Sequence, residues 1–231
     1  MAVCAQELAR EKKHSPKLQA LIYPWVQMYD HKLPSMIEYR KKHSITTLTP
    51  LNLTLCYLGR LNPKKAMIEC LKNNEHMLLL DEQTRLKYES FINPQLIPDE
   101  YKKDRAYYET YRNSHANRVA KTLKPNSVLN TDLEFRKEIL NLFNKKVSPL
   151  LADDEDLKDL PPAYFQLLEW DMLKDEGLIY SERLRLNGCK VHVELFEKAF
   201  HGIAPSLDYT MGFEAARHMF NNMVDKLKEM V

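Results

Sequence analysis

Glycine is scarce in this sequence. Only five of its 231 residues are glycine, at positions 59, 177, 188, 202 and 212, so no two of them lie within four residues of each other. Phosphate-binding P-loops, dinucleotide-binding turns and the G-x-S-x-G turn that exposes a serine nucleophile all need closely spaced glycines, because the backbone turns sharply or approaches a ligand there. The 231 residues therefore contain none of these three motifs.

Long apolar runs and an excess of charge of one sign are also missing. Without a stretch of about 18 apolar residues, we expect no transmembrane segment in these residues. The 34 basic and 32 acidic residues nearly balance, and the lysine pairs are scattered along the chain. A nucleic-acid partner is not expected, because it would need a basic stripe.

The cysteines and acidic residues do not form a metal-binding pattern. No C-x-x-C spacing occurs among Cys4, Cys56, Cys70 and Cys189, which argues against a zinc site. One disulfide in an oxidising compartment and buried free thiols both agree with the sequence. The acidic run 153–156 lacks the glycine and the alternation of a calcium loop. We therefore expect no metal ion.

The spacing of apolar residues and prolines divides the chain into three parts. Residues 1–29 predict an amphipathic helix and then a short buried strand that ends before Pro24. Residues 30–146 are rich in lysine, glutamate, tyrosine and asparagine, and their helical spacing is broken by prolines. This part predicts four to six helices with long connections. Residues 147–231 return to an alternation of strands and helices.

This last part indicates an α/β fold class. The sequence predicts strands at 163–170 and at 191–196, the latter followed by a loop, and a helix between the strands that ends at Gly188. A final amphipathic helix is predicted over about 207–230, with one apolar stripe that indicates core packing: Met211, Ala215, Met219, Met223 and Leu227. Strands and helices in alternation with short loops are typical of a parallel α/β layer.

An aspartate and a histidine each come after one of the predicted strands. Asp171 directly follows strand 163–170, and His201 follows strand 191–196. An imidazole held by a carboxylate keeps the tautomer whose other nitrogen can take a proton from a nucleophile. On spacing alone, a second interpretation is equally acceptable: Asp171 caps the helix that begins near Leu173, and His201 is an ordinary loop histidine.

The motifs around this pair match a known family in order and spacing. They are SPLLA (148–152), LPP (160–162), DMLKDEG (171–177), YSERLRLNG (180–188) and AFHG (199–202). Together they resemble the C-terminal part of the hormone-sensitive-lipase-like α/β hydrolases, and within them the arylacetamide deacetylase and neutral cholesterol ester hydrolase branch. The resemblance is strong over 147–203 and loose over 30–146.

The resemblance implies the C-terminal part of an α/β-hydrolase fold with a helical lid insertion. Residues 1–29 would be the helix and strand on the nucleophile side, 30–146 the lid, and 147–231 the C-terminal core with the triad acid Asp171 and the triad base His201. It implies hydrolysis of carboxylic esters or arylamides with hydrophobic, lipid-like acyl groups, and no cofactor. It also implies a place in lipid metabolism on the lumenal side of the endoplasmic reticulum membrane, with the anchor outside these residues.

The family's serine elbow and oxyanion loop have no counterpart in the sequence. In the family they come just before the segment that matches the first helix, so we expect the nucleophile to precede Met1 and the fold of the given residues to be incomplete. None of the nine serines has the flanking glycines of an elbow: Ser15, Ser35, Ser44, Ser90, Ser114, Ser127, Ser148, Ser181 and Ser206. Without nucleophile and oxyanion donors, these residues alone are expected to be inactive.

Two functional interpretations stay open. The chain is part of a working esterase, or it is a non-catalytic protein that uses its lid region to bind a lipid or a partner protein. The presence of both Asp171 and His201 within family motifs favours the first interpretation, because a binding protein has no need of the pair.

Overall fold

The chain divides into an α/β unit and a helical unit. A computed structural model describes residues 1–12, 16–42, 50–102, 108, 122–204 and 213–230. The α/β unit comprises Met1–Trp25 and Ala152–Val231, and the helical unit comprises Val26–Leu151.

Nine α-helices and three strands lie in the described residues. The strands are β1 (Gln19–Ile22), β2 (Ala163–Trp170) and β3 (Val191–Phe200). The helices are α1 (Ala2–Arg10), α2 (Pro34–Lys42), α3 (Pro50–Tyr57), α4 (Lys65–Lys72), α5 (Glu82–Phe91), α6 (Val128–Thr131), α7 (Leu133–Leu140), α8 (Lys174–Leu186) and α9 (Glu214–Met230). Short 3-10 helices occupy Glu75–Leu79, Pro94–Leu96, Asp99–Tyr101, Asn141–Phe143, Pro149–Leu151 and Asp154–Leu157. Within the described ranges, no helix has both the length and the apolar character needed to cross a bilayer.

The sheet of the α/β unit is parallel, with strand order β1-β2-β3. Gln19 of β1 pairs with Ala163 of β2, which pairs in turn with Val191 of β3. The first six residues of β2 are all buried, as expected for a strand with neighbours on both edges and cover on both faces. The prediction of a parallel α/β layer is confirmed, and β2 has the predicted bounds.

The prediction for β3 was too short. The strand continues to Phe200, and Phe200 pairs with Trp170 across a register shift in the ladder. Lys198 has a positive φ of 57°, and its amide donates a hydrogen bond to Oε2 of Glu169 at 3.2 Å. This irregularity lets pairing resume beyond the point where the alternation of apolar residues ends, so no loop separates Phe196 from Phe200.

The helical unit confirms the prediction of helices for its described residues. A buried polar network stabilises its first segment. Asn74, in the left-handed conformation with φ of 57°, donates from Nδ2 to Oδ1 of Asp30 at 2.7 Å and accepts at Oδ1 from the amide of His31 at 3.0 Å. His76 lies beside this network, with Nε2 at 2.7 Å from the carbonyl oxygen of Tyr29. Burial lowers the pKa of His76 to about 4, so its imidazole is neutral at neutral pH.

Gly177 allows α8 to approach β2 closely. A Cβ atom at this position would lie 2.6 Å from Cδ2 of the buried Leu167. Glycine is unfavourable inside a helix by about 1 kcal/mol relative to alanine, so its presence here indicates that packing against β2 sets the choice of residue.

We therefore predict that Gly177→Ala lowers the free energy of unfolding by about 1–2 kcal/mol, because overpacking outweighs the gain in helix propensity. Urea unfolding followed by circular dichroism measures the change. The double variant with Leu167→Val should lose less than the sum of the single losses, since the smaller side chain makes room for the new methyl group. A Gly177→Ala variant as stable as the wild type would contradict the prediction.

Candidate active site

Asp171 stands at the carboxyl end of the central strand, where the chain turns from β2 into α8. Its side chain is buried, with 1% of its surface exposed. One carboxylate oxygen, Oδ1, accepts a hydrogen bond from the amide of Leu173 at 2.8 Å, as aspartates commonly do at turns that begin helices. This bond fixes the carboxylate relative to both elements and leaves Oδ2 available.

His201 stands in the turn that directly follows β3. Its Nδ1 lies 2.9 Å from Oδ2 of Asp171, and 43% of its side chain is exposed. In the tautomer that this contact favours, Nδ1–H donates to the carboxylate and Nε2 is the basic nitrogen. The structure thus brings together the two residues singled out from the sequence. Asp171 also contacts the start of α8, so its two suggested roles are compatible, one on each oxygen.

Two opposing effects act on the pKa of His201. Burial lowers the pKa, whereas the hydrogen bond from the imidazole to Asp171 and the negative charge of that residue raise it. The net result is a pKa above the ordinary histidine value of 6.5. The carboxylate therefore favours the imidazolium, the form that a general base reaches after it has taken a proton.

Tyr23 also belongs to this site, and no motif or spacing in the sequence pointed to it. Its ring lies edge-to-face against the imidazole of His201, with ring centroids 4.9 Å apart and an interplanar angle of 65°. Its backbone has φ of 31° directly before Pro24, an arrangement that costs about 1–3 kcal/mol and persists only where the surrounding structure imposes it. Burial raises the pKa of Tyr23, a hydrogen bond with the backbone of Ala204 lowers it, and the charge of Asp171 raises it further.

The turn that carries His201 rests on an apolar cluster. The buried members of this turn cluster are Leu168, Ala199, Ile203, Ala216 and Met219, and Tyr23, Phe196, Phe200 and Ala215 pack against them. Gln166 of β2 donates from Nε2 to the carbonyl oxygen of Met219 at 2.8 Å, which joins α9 to the sheet. The prediction that the apolar stripe of α9 packs in the core is confirmed for Met219; Met211 lies outside the described residues.

The described serines have structural hydrogen bonds. The hydroxyl of Ser127 donates to Glu75, that of Ser148 to the carbonyl of Leu142, and that of Ser181 to the carbonyl of Leu178. Ser90, on the surface of α5, donates to the carbonyl of Lys87, and Ser35 is buried. Four further serines lie outside the described residues: Ser15, Ser44, Ser114 and Ser206.

The acidic run 153–156 has a structural role. Asp154 accepts a hydrogen bond at 2.5 Å from the guanidinium of Arg183, which is buried and also donates to the carbonyl of Ala152. The bond from Arg183 lowers the pKa of Asp154. Across the ranges that the structure covers, no group of three or more histidine, cysteine or acidic side chains could hold a metal ion.

All four cysteines are free thiols, which decides between the alternatives that the sequence left open. Burial raises the pKa of Cys70 to about 12 and that of Cys189 to about 11. Both are therefore protonated and unreactive at neutral pH.

The chain is similar in sequence to known hydrolases. A sequence model of the alpha/beta hydrolase fold matches residues 76–205. The chain is 28% identical over 228 residues to arylacetamide deacetylase from Bos taurus, which covers 98% of this chain and 51% of that enzyme. It is 31% identical over 193 residues to neutral cholesterol ester hydrolase 1 from Rattus norvegicus, which covers 82% of this chain and 41% of that enzyme. The chain thus spans about half the length of the curated relatives it matches.

Solved structures show the same fold at lower identity. Carboxyl esterase 2 from the fungus Tuber melanosporum superposes with a TM-score of 0.54 at 15% identity, covering 99% of this chain and 49% of the esterase. A hyperthermophilic esterase from the archaeon Pyrobaculum calidifontis gives a TM-score of 0.53 at 16% identity, covering 99% of this chain and 48% of that one. These two similarities concern the fold alone.

Proposed function

Because the chain belongs to the α/β-hydrolase fold family, we propose that it supplies the acid and the base of a serine-dependent hydrolase for carboxylic esters or arylamides. The observation that carries the proposal is the 2.9 Å contact between Nδ1 of His201 and Oδ2 of Asp171. The pair stands on two neighbouring parallel strands at their carboxyl ends, where α/β sheets commonly hold their ligands.

The geometry supports a specific division of roles. With Nδ1–H held by Asp171, Nε2 of His201 takes the proton of a serine hydroxyl as the serine oxygen bonds to the substrate carbonyl carbon. The imidazolium then gives this proton to the leaving alcohol or amine, and water attacks the acyl-enzyme by the same route. Asp171 holds Nδ1–H throughout and stabilises the imidazolium.

The serine and the oxyanion donors would come from outside these 231 residues. Support for this part of the proposal is the absence of a G-x-S-x-G motif from the sequence and the structural hydrogen bonds of the described serine hydroxyls Ser90, Ser127, Ser148 and Ser181. For the substrate, we propose hydrophobic acyl or aryl groups, because the curated relatives are named for arylacetamides and cholesterol esters.

The absence of a G-x-S-x-G motif from the sequence also favours a second candidate function. A chain that acts without a serine elbow would be a non-catalytic protein that binds a hydrophobic ligand or a partner. Asp171 and His201 would then be structural, with Asp171 joining the turn after β3 to the start of α8.

Isolation of the protein from its native source distinguishes the two candidates. An antibody against residues 214–230 would recover it for intact-mass measurement and for labelling with a serine-reactive fluorophosphonate. The proposal predicts labelling, inhibition of aryl-ester hydrolysis by the label, and a mass above 27.2 kDa, the mass of these residues. A mass of 27.2 kDa without labelling would overturn the proposal in favour of the binding protein.

For work on variants, the missing groups can be provided by a fusion. The part of bovine arylacetamide deacetylase that lies outside the region of similarity is joined to this chain, and the product is called the fusion below. The proposal predicts that the fusion hydrolyses aryl acetates and reacts with the fluorophosphonate. A fusion that melts cooperatively but neither hydrolyses esters nor reacts would contradict it.

A further inference from the structure

Three contacts fix the side chain and backbone of Tyr23 beside His201. The ring lies edge-to-face on the imidazole at 4.9 Å and packs against the turn cluster. The amide of Tyr23 donates to the carbonyl of Gln166 at 2.7 Å, which continues the ladder between β1 and β2. The phenol ring is therefore held from several directions, whereas the imidazole beside it is 43% exposed.

We propose that Tyr23 is a positioning residue for His201: its ring holds the imidazole in the orientation in which Nδ1 meets Asp171 and Nε2 is directed away from it. Tyr23 acts through His201 and touches no reacting atom. The catalytic meaning of this inference rests on the proposed function, but the contact itself concerns only residues of this chain.

The reason lies in how the imidazole is attached. His201 stands in a turn and is joined to Asp171 by one hydrogen bond, so rotation of its side chain would break the contact. In an edge-to-face pair, the positive edge of one ring meets the negative face of the other, which fixes the angle between the rings. Because the bond to Asp171 raises the pKa of His201, a ring that keeps the imidazole in this bond also keeps that pKa raised.

The backbone conformation of Tyr23 also supports a positioning role. A positive φ is rare for a residue with a bulky side chain, and the residue before a proline is further restricted. Such a conformation persists only where surrounding contacts impose it, and it occurs preferentially at functional sites. Here the conformation directs the phenol ring toward the turn after β3.

The test is the titration of His201 by NMR in the fusion, and it requires no catalytic turnover. Histidines labelled with 13C and 15N report both the pKa and the tautomer, and His201→Ala identifies the signal of His201. We expect Tyr23→Leu, which keeps apolar bulk but removes the aromatic ring, to lower the pKa of His201 by about 0.5, because the bond to Asp171 that raises this pKa forms less often. We also expect it to mix the two tautomers. Tyr23→Phe keeps the ring and should therefore retain most of the raised pKa and the single tautomer of His201. Tyr57→Leu, an exposed tyrosine at the end of α3, is the matched control and should change neither.

Two outcomes would overturn the inference. One is a Tyr23→Leu variant with the wild-type pKa and tautomer at His201, in a chain where Asp171→Asn lowers that pKa. The other is the absence, in the unchanged fusion, of nuclear Overhauser effects between the protons of the Tyr23 and His201 rings. This second measurement decides the matter if Tyr23→Leu fails to fold.

The result is separable from the proposed function. If Tyr23→Leu shifts the pKa but a folded fusion shows no esterase activity, the positioning role stands and the catalytic proposal fails. If the fusion is active and Tyr23→Leu changes neither the pKa nor the tautomer, the catalytic proposal stands and the positioning role fails.

Discussion

Replacement of His201 by alanine in the fusion should lower kcat for an aryl acetate about 10⁶-fold, the loss typical of a serine hydrolase without its general base. The reason is that no other group takes the proton from the serine hydroxyl or returns it to the leaving group. Steady-state hydrolysis by the purified variant measures the loss, and substrate binding should persist, because the histidine contributes to the transition state rather than to recognition.

His218 provides the matched control for this change. It is an exposed histidine on α9, so His218→Ala removes an imidazole without touching the site, and we expect activity close to that of the unchanged fusion. A His201→Ala variant that kept a tenth or more of the activity would show that His201 is not the base.

Replacement of Asp171 by asparagine should lower kcat about 10⁴-fold, because an amide neither holds the required tautomer nor stabilises the imidazolium. The amide oxygen can still accept the hydrogen bond from Leu173, so the start of α8 should be unchanged by circular dichroism. Asp81→Asn is the matched control: Asp81 caps α5 through the amide of Thr84 at 2.8 Å, and its exchange should leave activity intact. Activity within tenfold of the unchanged fusion would contradict the assignment of Asp171.

Asp171→Asn should shift the pH profile of activity in a definite direction. The neutral imidazole is the base, so activity falls as the pH drops through the pKa of His201, which the bond to Asp171 and its charge raise. In the variant this limb of the pH–activity profile should move to lower pH.

The contribution of His201 to stability depends on pH in the opposite direction to its activity as a base, because it is present at low pH. A histidine with a raised folded pKa contributes stability that is fully present below its unfolded pKa and is lost as the pH rises through the folded value. The stability lost on Asp171→Asn should therefore be larger at about pH 5.5 than at about pH 9.

Local patterns in the sequence were sufficient to predict most of the α/β unit. The mostly apolar run AYFQLLEW predicted β2 with its bounds, and Gly188, with φ of 85°, marked the end of α8. Asp171 and His201 could be chosen because each follows a predicted strand. Parallel strands that are neighbours bring residues at their carboxyl ends together, so the chain order implied proximity before any distance was known.

Other features depended on contacts between distant segments. The extension of β3 to Phe200 required a positive φ at Lys198 and a shifted pairing with β2, neither of which has a signal in the alternation of apolar residues. Gly177 contradicts the helical preference around it, and only the 2.6 Å approach of Leu167 explains its presence.

Thus the sequence by itself determined which strands form, that they are parallel, and which carboxylate and imidazole stand at their ends, because strand alternation, buried runs and helix ends are set by neighbouring residues. The tertiary structure decided the 2.9 Å geometry of that pair and the place of Tyr23 beside it. Tyr23 and His201 are 178 positions apart in the chain. Their contact exists only because β1 and β3 both pair in parallel with β2, which brings the residues after them together at the carboxyl ends of the strands.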